Sequence, residues 1–230
     1  MVGFVDETLR DGPQSLWATR MKTAAMLGAT DELDRSGFER ICGTSGAAFE
    51  TAVRFLKEDP WERLRLLHTF MPHTPIDILI RSRNLFGWEL YPDEVVKLLF
   101  RCLKDTGAQC VKVFDGLNDV RNIAAHFRIA KSLGLKAVGS ITFALSPIHT
   151  DEYFVGKARE LLAAGVDSIG LGDASGLLTG PRTQSLMPGS TPRCRAACLS
   201  SLWPTTPWGW RTTPTARPCG PGRAAWPRRQ

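Results

Sequence analysis

Residues 6–22 read DETLRDGPQSLWATRMK, directly after the short apolar run VGFV. Arg10, Asp11 and Gln14 stand close together in it. Asp11 can ligate a divalent metal through oxygen, Arg10 can compensate charge or bind a carboxylate, and Gln14 can donate to a carbonyl oxygen. Further along, LIRSRN offers Arg81 as a fork for a small carboxylate, and VFDGLND presents Asp115 and Asn118. Each fragment follows a β-rich run. In a parallel α/β fold ligands gather at the carboxyl ends of strands, so Arg10, Asp11, Gln14, Arg81 and Asp115 fall where a shared rim would lie.

Plainer uses compete for these and neighbouring residues. Asp6 and Glu7 read equally as loop or capping groups, and Asp115 and Asp119 as turn and N-cap groups. Arg83 reads as a surface partner of Glu89, and Trp17 as packing rather than substrate stacking. GLGDASG at 170–176 follows a strand but lacks the GxGxxG spacing, which argues against a dinucleotide.

The elements that must position these groups alternate. Strands are expected over 2–6, 38–43, 75–81, 110–115, 136–144 and 168–173, several of them apolar at consecutive positions, as when both faces of a parallel sheet are covered. Between them, YPDEVVKLLFRCLKDTG reads as a helix with Pro92 at its first position, an apolar face of Val95, Leu99 and Cys102, and a stop at Gly107. DVRNIAAHFRIAKSLG places Ile123, Phe127 and Ala130 on one stripe and His126 on the surface, ending at Gly134. IHTDEYFVGKARELLAAG is capped by Thr150, buries Phe154, Ala158 and Leu161, and ends at Gly165. The result is a repeated βα pattern of about six units. An eight-unit barrel needs about 250 residues, so spacing alone leaves a barrel and an open doubly wound sheet equally open.

Composition narrows the classes further. A hydrophobic content of 43% supports a packed core. The formal charge is +6, but residues 188–230 hold seven arginines and no Asp, Glu or Lys, leaving residues 1–187 at −1 and removing the case for nucleic-acid binding by the body. The tail also contains eight prolines and four of the seven tryptophans, with no helical or strand period. It reads as a disordered extension or, preferably, as a shifted reading frame; a basic tail stacking on nucleic acid is the weakest option. Cys42, Cys102 and Cys110 sit alone in apolar runs and read as reduced core residues. Cys194 and Cys198 have metal-pair spacing without the partners to complete a zinc site. No targeting segment and no run of about 18 apolar residues is present, so a cytoplasmic protein is expected.

Taken together, DETLRDGPQSLWATRMK, AFETAVRFLKEDPWERLR, LIRSRN, YPDEVV, VKVFDGLNDVRN, LSPIHT and GDASGLL resemble the carboxyltransferase domain of pyruvate carboxylase, oxaloacetate decarboxylase alpha subunits and the transcarboxylase 5S subunit. That family belongs to a wider group of metal-dependent TIM barrels that includes hydroxymethylglutaryl-CoA lyase and isopropylmalate synthase. The resemblance covers about residues 2–187 and implies an α/β TIM barrel, here truncated after about six β/α units, with 188–230 as a separate tail. It implies carboxyl transfer between carboxybiotin and pyruvate, or oxaloacetate decarboxylation, through a metal-stabilised enolate. Zinc, manganese or cobalt at the barrel mouth, a biotin carboxyl carrier and a homodimer are implied with it. By the same resemblance Asp11 binds the metal, Arg10 and Gln14 help bind the keto acid or its enolate, Arg81 holds the substrate carboxylate, and Asp115 lies near the metal.

The chain departs from that pattern at several places. Gly172 stands where the family usually has a carbamylated, metal-ligating lysine. An HxH pair expected just past residue 200 meets LSSLWPTTPW, and a strand-eight threonine has no counterpart. The usual aromatic–threonine pair appears as Phe143 and Ala144, and WGGATF has become GTSGAAF. An acyl-CoA lyase or Claisen-type synthase of the same barrel group shares the Arg–Asp pair and is the second reading. A non-catalytic partner subunit is the third.

Overall fold

The computed structural model describes residues 4–186 and 199–200. In chain order these form β1 (Val5–Asp6), α1 (Asp11–Leu16), α2 (Thr23–Leu27), α3 (Thr30–Arg35), β2 (Arg40–Ser45), α4 (Gly46–Thr51), α5 (Pro60–Phe70) and β3 (Ile76–Arg81). There follow α6 (Asp93–Asp105), β4 (Cys110–Phe114), α7 (Ala124–Ser132), β5 (Lys136–Thr142), α8 (Asp151–Ala163), β6 (Ser168–Gly172), α9 (Gly180–Leu186) and β7 (Leu199–Ser200). Neighbouring strands pair in sequence order and every pair is parallel. β1 to β6 make a curled half-barrel with the helices outside, a truncated α/β barrel in place of the open sheet. The division of the chain near residue 187 and the tail beyond it lie outside the described residues, apart from the backbone of β7.

Strand alternation explains why the strands read as continuous apolar runs. Ile41, Ile76, Ile78, Ile80, Val111, Val113, Ala137 and Ile141 point outward and build the core with the helices. The outward direction is fixed by two glycines, since a Cβ on Gly43 would meet Leu64 and Leu67 of α5, and one on Gly139 would meet Leu161 of α8. The intervening positions face the concave side. There Arg40, Cys42, Asp77, Cys110, Lys112 and Ser140 are all buried, so the interior of the half-barrel is polar while its outer layer is apolar.

Helix ends follow the sequence signals closely. The Asp59 carboxylate accepts from Trp61 N–H ahead of Pro60 in α5, and Thr150 Oγ1 accepts from Tyr153 N–H in α8. Gly107, Gly134 and Gly165 follow their helices with positive φ, a conformation that glycine adopts without a Cβ clash. Two readings need correction. Pro92 is the N-cap of α6, in extended conformation, and the buried face is Val96, Phe100 and Leu103, one residue on from Val95, Leu99 and Cys102. The doubled pairs in VVKLLF make two adjacent stripes equally apolar, and packing selects the second. His126 is fully buried, because its ring serves a hydrogen bond inside the molecule.

Among the described residues Cys42 and Cys110 are buried, Cys102 is half-buried, and all three are free thiols. No described helix is long and apolar enough to cross a membrane.

Candidate functional site at the strand ends

β1 ends in a tight turn in which the backbone N–H groups of Arg10, Asp11 and Gly12 all point at the Glu7 carbonyl, at 3.1, 2.8 and 3.2 Å. That turn starts α1 and brings two side chains back over the strand end. Arg10 Nε and Nη2 donate to Glu7 Oε2 at 2.8 and 2.5 Å, and Arg10 Nη1 donates to Asp11 Oδ1 at 2.9 Å. Glu7 Oε1 in turn accepts from Lys112 Nζ of β4 at 2.5 Å. Glu7 is therefore an internal anchor and not a loop or capping residue. Asp6 keeps the local role, accepting from Thr8 N–H and Oγ1.

Burial pushes the Glu7 carboxyl upward, but the adjacent Lys112 and Arg10 outweigh it and hold the group below the usual carboxylate range. Burial likewise disfavours the Arg10 cation. Its anionic neighbours, Glu7 and Asp11 among them, more than restore it. Beneath this layer Asp77 is fully buried 3.6 Å from Arg40 Nε, and burial raises its carboxyl above the ordinary value. Cys42 lies in the same field, and burial pushes its thiol far up, which makes it an inert core group.

The other candidates are tied into their own loops. Arg81 Nη2 donates to the Gly87 carbonyl at 3.0 Å, and its guanidinium lies 4.2 Å from the Trp88 ring centre. Trp88 Nε1 donates to Glu50 Oε2 at 3.1 Å, so the loop after β3 is fastened to α4. Asp115 Oδ1 accepts from the N–H groups of Leu117 and Asp119 at 2.9 and 3.1 Å, while Oδ2 accepts from Asn122 Nδ2 at 3.1 Å. Asn118 extends the β4–β5 pairing, exchanging bonds with the Thr142 N–H and carbonyl at 2.7 and 2.9 Å. Gln14 is exposed one turn beyond Asp11. Thus Arg10 and Asp11 are in contact, and among the described residues no hydrogen bond or ion pair joins either of them to Arg81 or Asp115.

Two smaller readings are also revised. Trp17 is more than half exposed and is not part of the described core. Arg83 donates to the Tyr91 carbonyl and pairs with Asp93, not Glu89. Asp173, after β6, closes its own turn by accepting from Leu178 N–H at 2.6 Å.

The family pattern implies a metal at Asp11. Among the described residues no group of three or more His, Cys, Asp or Glu side chains is arranged to hold one. Asp11 Oδ1 is engaged by Arg10, which also holds the Glu7 carboxylate. Gly172 faces the interior in ordinary backbone conformation, and a Cβ there would lie 3.7 Å from Ser140 Oγ and 3.8 Å from the Ile141 carbonyl. The described residues alone therefore do not fit a metal centre.

Known proteins share this frame. A pyruvate carboxylase subunit of Methanocaldococcus jannaschii is 42% identical over 179 residues, which cover 78% of this chain and 32% of that protein. The methylmalonyl-CoA carboxyltransferase 5S subunit of Propionibacterium freudenreichii is 41% identical over 177 residues, covering 77% of this chain and 35% of the relative. The carboxyltransferase domain of Rhizobium etli pyruvate carboxylase, solved with pyruvate, superposes with a TM-score of 0.79 at 32% identity, over 82% of this chain and 33% of that one. The homologues of this chain are the carboxyltransferase subunits and domains of these enzymes. No protein-family model matches it. It spans about a third of the length of the curated relatives, and the carboxyltransferase domain of Rhizobium etli has also been solved with pyruvate and biocytin together. Within this frame, the buried Lys112 is the residue that sequence reasoning passed over, and its partner Glu7 the one it took for a loop or capping group. The available signal was a lysine in the middle of the apolar strand CVKVF.

Proposed function

We propose that the chain carries the keto-acid half of a biotin-dependent carboxyl transfer, in which a carboxyl group moves between carboxybiotin and pyruvate, or oxaloacetate is decarboxylated in reverse. The observation that carries this reading is the Arg10 guanidinium, held by Glu7 and Asp11 at the carboxyl end of β1 in a chain 42% identical to part of a pyruvate carboxylase over 179 residues. Arg81 is the cation assigned to the substrate carboxylate, and Arg10 and Gln14 are the donors assigned to the keto acid or its enolate. When the bond between C3 and C4 of oxaloacetate breaks, its electron pair moves into the enolate and carbon dioxide leaves. Fixed N–H donors then stabilise charge that grows along the reaction.

A biotin carboxyl carrier, on a separate domain or protein, supplies or removes the carboxyl group when bound. Asp11 is the residue assigned to a divalent cation of the zinc, manganese or cobalt type. Among the described residues no group of three His, Cys, Asp or Glu side chains completes such a site. Asp115 is assigned to the same rim, a homodimer to the assembly and a cytoplasmic setting to the protein.

Incubating the purified chain with oxaloacetate and following pyruvate and carbon dioxide tests the proposal. Turnover that falls to background in Arg10→Ala supports it. Cleavage of an acyl-CoA thioester in place of oxaloacetate would move the chain to the lyase or synthase reading. Co-elution with a biotinylated carrier and no turnover would leave a non-catalytic partner.

A further inference from the structure

Lys112 is only 2% exposed and projects from the middle of β4 to the concave side. β2 and β3 lie between β4 and β1 in the sheet, so the Lys112–Glu7 bond crosses the hollow of the half-barrel and joins positions 105 residues apart. The two Glu7 oxygens are divided between partners: Oε1 takes Lys112, and Oε2 takes two adjacent N–H groups of Arg10. A carboxylate held at both oxygens cannot swing, and a guanidinium whose Nε–H and Nη2–H converge on one of those oxygens is held in place by it. Three of the five Arg10 N–H donors are committed by Glu7 and Asp11. Among the described residues the other two have no acceptor, and the clamp sets the direction in which they can meet a ligand.

We infer that Lys112 is a positioning residue, which acts through Glu7 to fix the aim of the Arg10 guanidinium. The inference rests on the reading of Arg10 as the group that meets the keto acid. Stability alone gives little reason for a lysine here. Desolvating an ammonium and a carboxylate offsets most of their attraction, and a buried ion pair is often replaceable by apolar side chains at no loss. Precise orientation of a charged donor, by contrast, requires a support whose own geometry is locked. Lys112 comes from a central strand paired on both sides, the most rigid platform the sheet offers.

The test is calorimetric titration of the full chain with oxamate, a small carboxylate analogue, on wild type, Arg10→Ala, Lys112→Met, Lys112→Arg and the Lys112→Met/Arg10→Ala double variant. Lys112→Met is expected to weaken binding roughly tenfold or more, and Lys112→Arg to recover most of it. In the Arg10→Ala background Lys112→Met should change nothing further, a coupling that a purely structural lysine would not produce. Wild-type affinity in a folded Lys112→Met overturns the positioning role and leaves Arg10 as the ligand group. Unaltered affinity in Arg10→Ala, or no oxamate binding by wild type, overturns the reading of Arg10 and the inference with it. If Lys112→Met fails to fold, Glu7→Gln carries the same expectation. It keeps the side-chain shape while removing the charge, and full affinity there also overturns the inference.

Discussion

His126 Nε2 of α7 donates to the Ser82 carbonyl at 3.0 Å, which pins the residue immediately after Arg81 from a helix 44 positions later. Ser82 has φ +41°, unusual for a residue with a side chain, so the bond holds the loop in a conformation it would not choose alone. Nε2 carries the proton, and Nδ1 is buried without a partner among the described residues. Protonating it would create a buried, unpaired N–H. Burial accordingly lowers the imidazole from 6.5 to about 4. Between those values the unfolded chain binds more protons than the folded one, so stability rises with pH across the window and is lost as pH falls through it. The full loss is about 3 kcal/mol. Chemical denaturation at about pH 7 and about pH 5 should show the decline, and His126→Gln should flatten the dependence. Acid-side losses from Glu7 and Glu58, whose carboxyls are lowered despite burial, enter only below their ordinary range.

The register of α6 can be checked by a pair of truncations. Val96 is fully buried while Val95 is 36% exposed. Val96→Ala should cost about 2 kcal/mol by chemical denaturation. Val95→Ala should stay within about 0.5 kcal/mol of wild type. Equal losses would return the buried face to the stripe through Val95, Leu99 and Cys102.

Legibility in the sequence followed the range of the interaction that decides each residue. The strands could be read because covering both faces of a parallel sheet leaves an uninterrupted apolar signature, and Arg10 and Asp11 because their partners lie within a few positions. Glu7 looked like a capping group because its decisive partner is Lys112, 105 residues away. His126 looked exposed because its acceptor is a backbone carbonyl in another unit, which has no residue type to betray it. Arg81 was legible as a rim residue, yet its bond to the Gly87 carbonyl and its stacking on Trp88 depend on the fold of a loop that local pattern does not specify.

Glycines at two strand positions should respond in opposite ways. A Cβ on Gly139 would lie 2.8 Å from Leu161 Cδ2 and 3.0 Å from Val166 Cγ1, in the packed layer between β5 and α8. Gly139→Ala is therefore expected to cost about 1–3 kcal/mol. Gly172 faces the hollow, where the same added carbon meets only ordinary contacts at 3.7 and 3.8 Å. Gly172→Ala should leave thermal and chemical unfolding within about 0.5 kcal/mol of wild type. A large loss there would mean that the interior is filled more tightly than these distances allow.

Asp115 separates a loop organiser from a reacting group. Its two oxygens accept from Leu117 N–H, Asp119 N–H and Asn122 Nδ2, so the loop from 115 to 122 closes on this one side chain. Asp115→Ala leaves those donors without an acceptor and should cost about 2 kcal/mol. Asp115→Asn keeps Oδ1 for the two backbone groups and forfeits only the bond from Asn122, so most of the stability should return. An oxaloacetate assay on the same variants reads the other role. If the carboxylate only shapes the loop, Asn will recover turnover in step with stability. If it touches the substrate, Asn will restore the fold while turnover stays as low as in Asp115→Ala, since a neutral amide cannot supply the negative charge.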